Sequence, residues 1–277
     1  MQLFEKVSRQ CSKITTETYS TSFASAIRLL HKDIRTPIYN IYGFVRFADE
    51  IVDTFHDFDK ENLLQQFKLE TYSAIRRGVS LNPILNSFQE TVTKYKIDLE
   101  LVNAFFQSME QDLNKIEYDK NTYSQYIYGS AEVVGLMCLY VFCEGNRELF
   151  DVLAPSARAL GAAFQKVNFL RDIKADYNGL SRIYFPGCDF NHFTEQQKKE
   201  IEEDIHQDFQ SAYEGILKLP VKARFGVYVA YKYYFSLFKK IKKMKPAKVV
   251  EERIRIPDYK KLLLILRARV KNQLRLI

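Results

Sequence analysis

TPIYNIYGFVRFADEIVDTF, residues 36 to 55, decides the fold class. Threonine followed by proline reads as an N-cap and first helical position, so the sequence predicts a helix opening at Thr36–Pro37. Its body is apolar: Phe44, Val45, Phe47, Ala48, Ile51 and Val52. Set among them are Arg46, Asp49 and Asp53. At 100° per residue these three fall within an arc of about 60°, a single polar stripe. Like charges one turn apart repel by roughly 0.2–0.5 kcal/mol. Taken alone, such a pair describes either a solvated face or a place that holds something cationic.

Outward from this stretch the pattern stays helical. LFEKVSRQCSKITTETY, ENLLQQFKLETYSAIRR, NPILNSFQETVTKY and DLELVNAFFQSMEQDL are amphipathic, the last headed by Asp98 as a cap. TYSQYIYGSAEVVGLMCLYVF and PSARALGAAFQKVNFLRDIKADY are apolar on several sides, as central helices of a bundle are. TEQQ, Thr194 to Gln197, has the form of a capping box. No alternating strand pattern, repeat or linker divides the chain. Only 10 Gly and 7 Pro occur, few for a sandwich or barrel. The expectation is one all-α domain over residues 1–277.

Hydrophobic residues make up 47% of the 277, with 21 Phe, 18 Tyr and no Trp, which excludes a disordered chain. The 41 Lys and Arg against 34 Asp and Glu leave a net charge of +7, suited to phosphorylated substrates or an anionic surface. Lys239, Lys240, Lys242, Lys243, Lys245 and Lys248 cluster late, followed by Arg267, Arg269, Lys271 and Arg275. No nucleic-acid motif accompanies them, so a nucleic-acid partner is not expected. The four cysteines show no CxxC or zinc spacing and read as thiols in a reducing compartment. The N-terminus lacks a signal-peptide core, and no run of about 18 uncharged apolar residues predicts a membrane span. A cytoplasmic protein is expected.

The stripe of the opening stretch has a counterpart in QKVNFLRDIKAD. Gln165, Asn168, Asp172 and Asp176 fall within about 80° on a second helix. Two carboxylate pairs in apolar helices, beside Gly161, Ala162 and Ala163, point to a shared interior site. Four carboxylates there require cations. Oxygen ligands without supporting Cys or His suit Mg²⁺, which takes one or two protein carboxylates and completes its shell with water and phosphate oxygens. Arg46, Arg171 and Arg182 are placed to fork onto phosphate. Such a site stabilises a departing diphosphate and leaves a carbocation. Tyr and Phe faces tolerate that cation, although aromatic stripes are also ordinary core. The hydroxyls of Tyr42, Tyr126 and Tyr128 can hold diphosphate or assist proton removal.

With YSTSF (19–23), IYGFVRFADEIVD, YIYGSAEVVG and QKVNFLRDIKADYNGLSRIYFP in view, the chain resembles the phytoene and squalene synthases over nearly its whole length, most nearly the bacterial phytoene synthases. The resemblance implies an isoprenoid-synthase-type bundle around a central apolar cavity. It implies that Asp49, Asp53, Asp172 and Asp176, with Asn168, hold Mg²⁺ (or Mn²⁺ as a substitute) and two substrate diphosphates. Arg46, Arg171, Arg182 and Gln165 would assist, Ser20 and Ser22 match a serine pair at the entrance, and Tyr42 and Tyr128 match tyrosines beside the site. Arg253 and Tyr234 match a late arginine and a late tyrosine. Two departures stand out. Glu50 replaces a frequent second aspartate and points elsewhere on the helix, and Glu132 stands where a small neutral residue is common.

The implied reaction is head-to-head condensation of two geranylgeranyl diphosphates to phytoene through a cyclopropylcarbinyl diphosphate. The alternative is farnesyl diphosphate condensation to dehydrosqualene or squalene. NADPH is not expected unless squalene is the product. An oily product needs a bilayer, so peripheral contact with the inner membrane face is expected. A carboxylate di-iron bundle is the rival enzyme, but it needs two ExxH motifs and only Glu203–His206 is present. A non-catalytic helical scaffold is the rival from outside enzymology.

Overall fold

The computed structural model describes residues 1–113, 118–175, 184–188, 190–251 and 253–273, and among them the regular structure is helical, without a strand. The deciding stretch lies in α3 (Lys32–Thr54), as α1 (Gln2–Tyr19) and α2 (Thr21–Ile27) precede it. α3 begins one turn before the Thr36–Pro37 signal. His31 caps it by accepting from the Asp33 amide, and Ile34 is fully buried. Cap and burial draw the start forward and leave Pro37 inside the helix, without one backbone donor.

The same override recurs further on. After α4 (Lys60–Arg77), α5 (Pro83–Tyr95), α6 (Leu99–Asp112), α7 (Lys120–Ile127) and α8 (Val133–Cys143) comes α9 (Arg147–Ala175). Sequence placed the start of α9 at Pro155. Instead Asn146 accepts from the Leu149 amide, and Phe150 and Leu153 are buried ahead of the proline. Two expected caps hold. Asp98 accepts from the Glu100 amide, and Thr194 with Gln197 forms the capping box of α10 (Glu195–Lys218). α11 (Val221–Lys242), α12 (Pro246–Glu251) and α13 (Asp258–Gln273) complete the described helices.

α8 is apolar all round and lies centrally, against α3, α6 and α9. α9 packs on α8, α10 and α11, and α3 on α1, α5 and α8. Between α7 and α8 the helix widens into a π-helical turn, Tyr128–Glu132. Such turns gather at functional sites. α9 meets the π-helical turn and α8 backbone to backbone through glycine. A Cβ on Gly161 would lie 2.6 Å from the Ala131 carbonyl oxygen, and one on Gly135 2.7 Å from that of Ala157. α9 and α10 are pinned by buried Lys166, held by Asp204 at 2.6 Å and Asp208 at 2.7 Å. Burial pushes the Asp208 carboxyl up to about 6 against the pull of Lys166.

Among the described residues one helical run, Lys120–Cys143, is long and apolar enough to cross a membrane, which the sequence reading did not anticipate. Of its most apolar window 56% is buried among the other helices, the position of a core element.

Candidate active site

Tyr42 joins Arg46, Asp49 and Asp53 on one stripe of α3, within an arc of about 60°. Asp49 is driven up to about 7 from 3.8. Burial is the largest cause and the Asp53 carboxylate the next, with Arg46 opposing both. A carboxylate in that state calls for a cation. The nearest permanent one, Arg46, is already engaged: its Nε donates to Glu50 Oε2 at 3.0 Å and its guanidinium lies 4.4 Å from the centroid of the Tyr19 ring. Glu50 therefore points away from Asp49, as its helical angle implies, and orients Arg46 instead.

On α9 the second stripe is equally charged. Asp172 accepts from Arg171 Nε at 3.0 and 3.1 Å, and Arg253, from the segment after α12, donates to Asp172 Oδ1 at 3.0 Å. Burial lowers the Arg171 guanidinium, but the hydrogen bond and charge of Asp172 together with the contact to Tyr234 more than offset this, so it stays charged. The Asn168 side-chain oxygen is buried without a hydrogen-bond partner. An orphaned buried oxygen costs about 1–3 kcal/mol, so its position suits a ligand for something that accepts oxygen. Gln165 donates to Ser130 Oγ in the π-helical turn at 3.4 Å. Asp176 and Arg182 lie outside the described residues.

Tyr234 of α11 and Phe23 of α2 bridge the two stripes. The Tyr234 hydroxyl bonds Asn168 and Arg171, and its ring stacks on Phe164 at 3.9 Å. Phe23 touches Tyr42 at 5.7 Å, Tyr234 at 5.7 Å and Phe164 at 6.0 Å. Tyr234 is close enough to add to the rise in the Tyr42 pKa, which burial chiefly pushes up to about 12. Ser20 hydrogen-bonds Tyr42 and caps α2 by accepting from the Phe23 amide at 3.2 Å, while Ser22 is half-buried in the first turn of that helix. The structure thus brings together Ser20, Tyr42, Arg46, Asp49, Asn168, Arg171, Asp172, Tyr234 and Arg253. Tyr128 is placed by a different contact, the Arg158 guanidinium 5.2 Å from its ring centroid. Glu132 holds that same arginine at 2.6 Å.

Three residues escaped the sequence reading. Phe23 and Phe164 complete the aromatic wall, and nothing in their local spacing distinguishes them from core. Asp112 is 8% exposed on α6, accepts both hydrogen bonds from the Tyr126 hydroxyl (3.0 and 2.8 Å), and adds to the upward push on Asp49. Its signal was available: Phe105, Ser108 and Met109 place it on the buried face of its helix. Tyr126 is committed to Asp112, which removes it from the tyrosines open to diphosphate. A cleft of about 290 Å³ lined by Arg9, Asp33, Asn40, Glu90 and Lys94 lies on the opposite face of α3 and takes no part.

Among the described residues no three His, Cys, Asp or Glu side chains converge to cage an ion.

A helical bundle carrying two such stripes across a central helix is of the isoprenoid-synthase type. The squalene/phytoene synthase profile matches residues 16–260, and the chain belongs to that family of prenyltransferases. It is 26% identical over 211 residues to the 4,4'-diapophytoene synthase of Staphylococcus haemolyticus, spanning 75% of this chain and 72% of that one. Presqualene diphosphate synthase of Rhodopseudomonas palustris is 30% identical over 171 residues, 60% of this chain and 58% of its own. Phytoene synthase 1 of Zea mays is 24% identical over 255 residues, 84% of this chain and 60% of its own. A solved dehydrosqualene synthase superposes with a TM-score of 0.80 over 98% of both chains at 18% identity, which shares the fold.

Proposed function

We propose that this chain condenses two molecules of geranylgeranyl diphosphate head to head to phytoene, releasing two diphosphates. The observation that carries the reading is the meeting of the Asp49 and Asp172 stripes around Phe23 and Tyr234, in a chain whose family acts on prenyl diphosphates. A second reading, farnesyl diphosphate to dehydrosqualene or squalene, is favoured by the names of two relatives, the diapophytoene and the dehydrosqualene synthases.

The family generally depends on a divalent metal for diphosphate binding. Asp49, Asp53, Asn168, Asp172 and Asp176 would hold Mg²⁺, or Mn²⁺ in its place, and the orphaned Asn168 oxygen and the destabilised Asp49 carboxylate fit that task. When bound, the metal neutralises diphosphate charge and eases its departure. Arg171, Arg253 and Arg182 would fork onto the leaving group, and Arg46, held ready by Glu50 and Tyr19, would do so from the α3 side. Ser20, Ser22, Gln165 and Tyr42 supply further hydrogen bonds. The wall of Phe23, Tyr42, Phe164 and Tyr234 excludes water from the allylic cation and faces it with π density. The double bond of the second substrate attacks that cation to give the cyclopropylcarbinyl diphosphate. This ionises in turn, rearranges and loses a proton, a step assigned to the neighbourhood of Tyr42 and Tyr128. The reading takes residues 1–277 as one all-α unit in the cytoplasm, meeting the inner membrane face where its oil is discharged, with no nucleic-acid partner.

The test is incubation with Mg²⁺ and either geranylgeranyl or farnesyl diphosphate, with and without NADPH, followed by identification of the extracted hydrocarbon. Phytoene supports the first reading, and a C30 hydrocarbon the second. Absence of any coupled hydrocarbon from either substrate overturns both.

A further inference from the structure

α13 has two faces, and the fold uses one. Leu264 and Ile265 are half-buried and Ala268 is 2% exposed, the side on which the helix packs against α11. On the opposite side Tyr259, Leu263, Leu266 and Val270 are 62%, 47%, 48% and 54% exposed. At 100° per residue these four fall within about 60°. Apolar residues scattered singly over a surface need no explanation, but four in register on one helix do.

The borders of the stripe are cationic. Arg267 and Arg269, both exposed, flank it on either side at about 40–60° beyond its edges, with Lys271 next to Arg267. From Tyr259 to Ile277 the sequence holds six Lys and Arg and no Asp or Glu. α11 adds to the same field. Lys232 is lowered by burial and then by the charges of Lys271 and Lys239, which places the three together.

We infer that α13 is a membrane-docking helix, lying in the plane of an anionic bilayer with Tyr259, Leu263, Leu266 and Val270 inserted and Arg267, Arg269 and Lys271 at the lipid phosphates. An exposed apolar stripe bordered by arginines is the pattern of an interfacial helix, whose binding adds buried apolar area to attraction for anionic lipid. Long basic side chains reach the headgroups while the stripe sinks between them. A second copy of the chain is the poorer occupant. A twofold contact through this face would set Arg267, Arg269 and Lys271 against their own copies, with one acid on the helix, Asp258 at its start, against six Lys and Arg from Lys260 onward. The docked helix is also tied to the active site, since Lys261 Nζ donates to Thr21 Oγ1 at 3.3 Å, between Ser20 and Ser22. Delivery of the hydrocarbon into the bilayer rests on the proposed reaction; the docking itself does not.

Sedimentation with vesicles of phosphatidylcholine alone and with phosphatidylglycerol, at low and high salt, tests the inference on the full chain and on Leu263→Asp/Leu266→Asp. Both leucines are exposed and outside the site, and thermal melting confirms that the variant folds. The expected result is binding of the wild type to anionic vesicles at low salt, weakened by salt, and at least about tenfold weaker for the variant. Turnover in detergent micelles is expected to be unchanged by the substitution. No binding at low salt overturns the inference, as does equal binding by the variant. A dimer by light scattering that the same substitutions dissolve also overturns it, in favour of self-association. Loss of turnover by the wild type in micelles would fault the reaction and leave the docking result standing.

Discussion

Arg253 Nε stands 3.0 Å from Asp172 Oδ1, a contact between residues 81 apart in the chain. With Arg171 on its other side, Asp172 is gripped by two guanidiniums, the groups expected on phosphate. On the proposed function, carboxylate and diphosphate would compete for the same arginines, and binding of metal with diphosphate would exchange one set of partners for the other. Arg253 is half-exposed, so its ion pair contributes at most about 1 kcal/mol to folding. Arg253→Ala is expected to leave thermal melting nearly unchanged and to lower kcat/KM at least about tenfold, as loss of a charge-assisted bond does. Arg253→Lys should recover little, because the ammonium cannot fork. Steady-state kinetics beside a melting curve checks this.

The Asp49 carboxyl titrates at about 7 in the folded chain against 3.8 in the reference state. Between those values the folded protein binds the extra proton, so without metal its stability falls as pH rises from about 4 to about 7. Asp49→Asn removes the group. Melts in chelator are expected to show a flatter pH dependence for the variant and a higher Tm than wild type at pH 8, with turnover abolished. A variant whose melting follows pH as steeply as wild type would contradict the assignment.

Glu50 and Tyr19 hold Arg46 in place without being expected to touch substrate. Glu50→Gln keeps the shape and removes the charge-assisted bond, so KM is expected to rise several-fold with kcat little altered. Kinetics at varied substrate concentration reads the split.

Gly161 meets the Ala131 carbonyl where α9 crosses the π-helical turn. With backbone on both sides neither partner can give, and Gly161→Ala is expected to cost about 1–3 kcal/mol of stability. Denaturant unfolding measures it. Gly78, where a Cβ would meet nothing within 4 Å, offers the contrast of an uncrowded position that is strained only by its φ of 72°.

The stripes on α3 and α9 were legible because helical periodicity converts spacing into direction, and charges in an apolar body stand out. What periodicity cannot show is a contact between elements far apart in sequence. Phe23 and Phe164 read as core until the fold places them against Tyr42 and Tyr234. Asp112 is legible as an acid on the apolar face of α6, but its bearing on Asp49 shows only once the two helices are placed together. Pro37 and Pro155 misled in another way. Local grammar puts proline at a helix start, but burial of Ile34, Phe150 and Leu153 outweighed one lost backbone bond in each case. The arginine partnerships were hidden too, since Glu50 and Asp172 claim groups that sequence assigns to phosphate.

Diphosphate released per hydrocarbon formed, measured in one reaction with radiolabelled prenyl diphosphate and Mg²⁺, tests the central claim most directly. Two diphosphates for each coupled hydrocarbon, falling together to background in Asp172→Asn while the variant keeps its helical content, is the result expected from two stripes acting on two leaving groups. Diphosphate release with prenyl alcohol and no carbon–carbon bond, or coupling that survives Asp172→Asn, would contradict it.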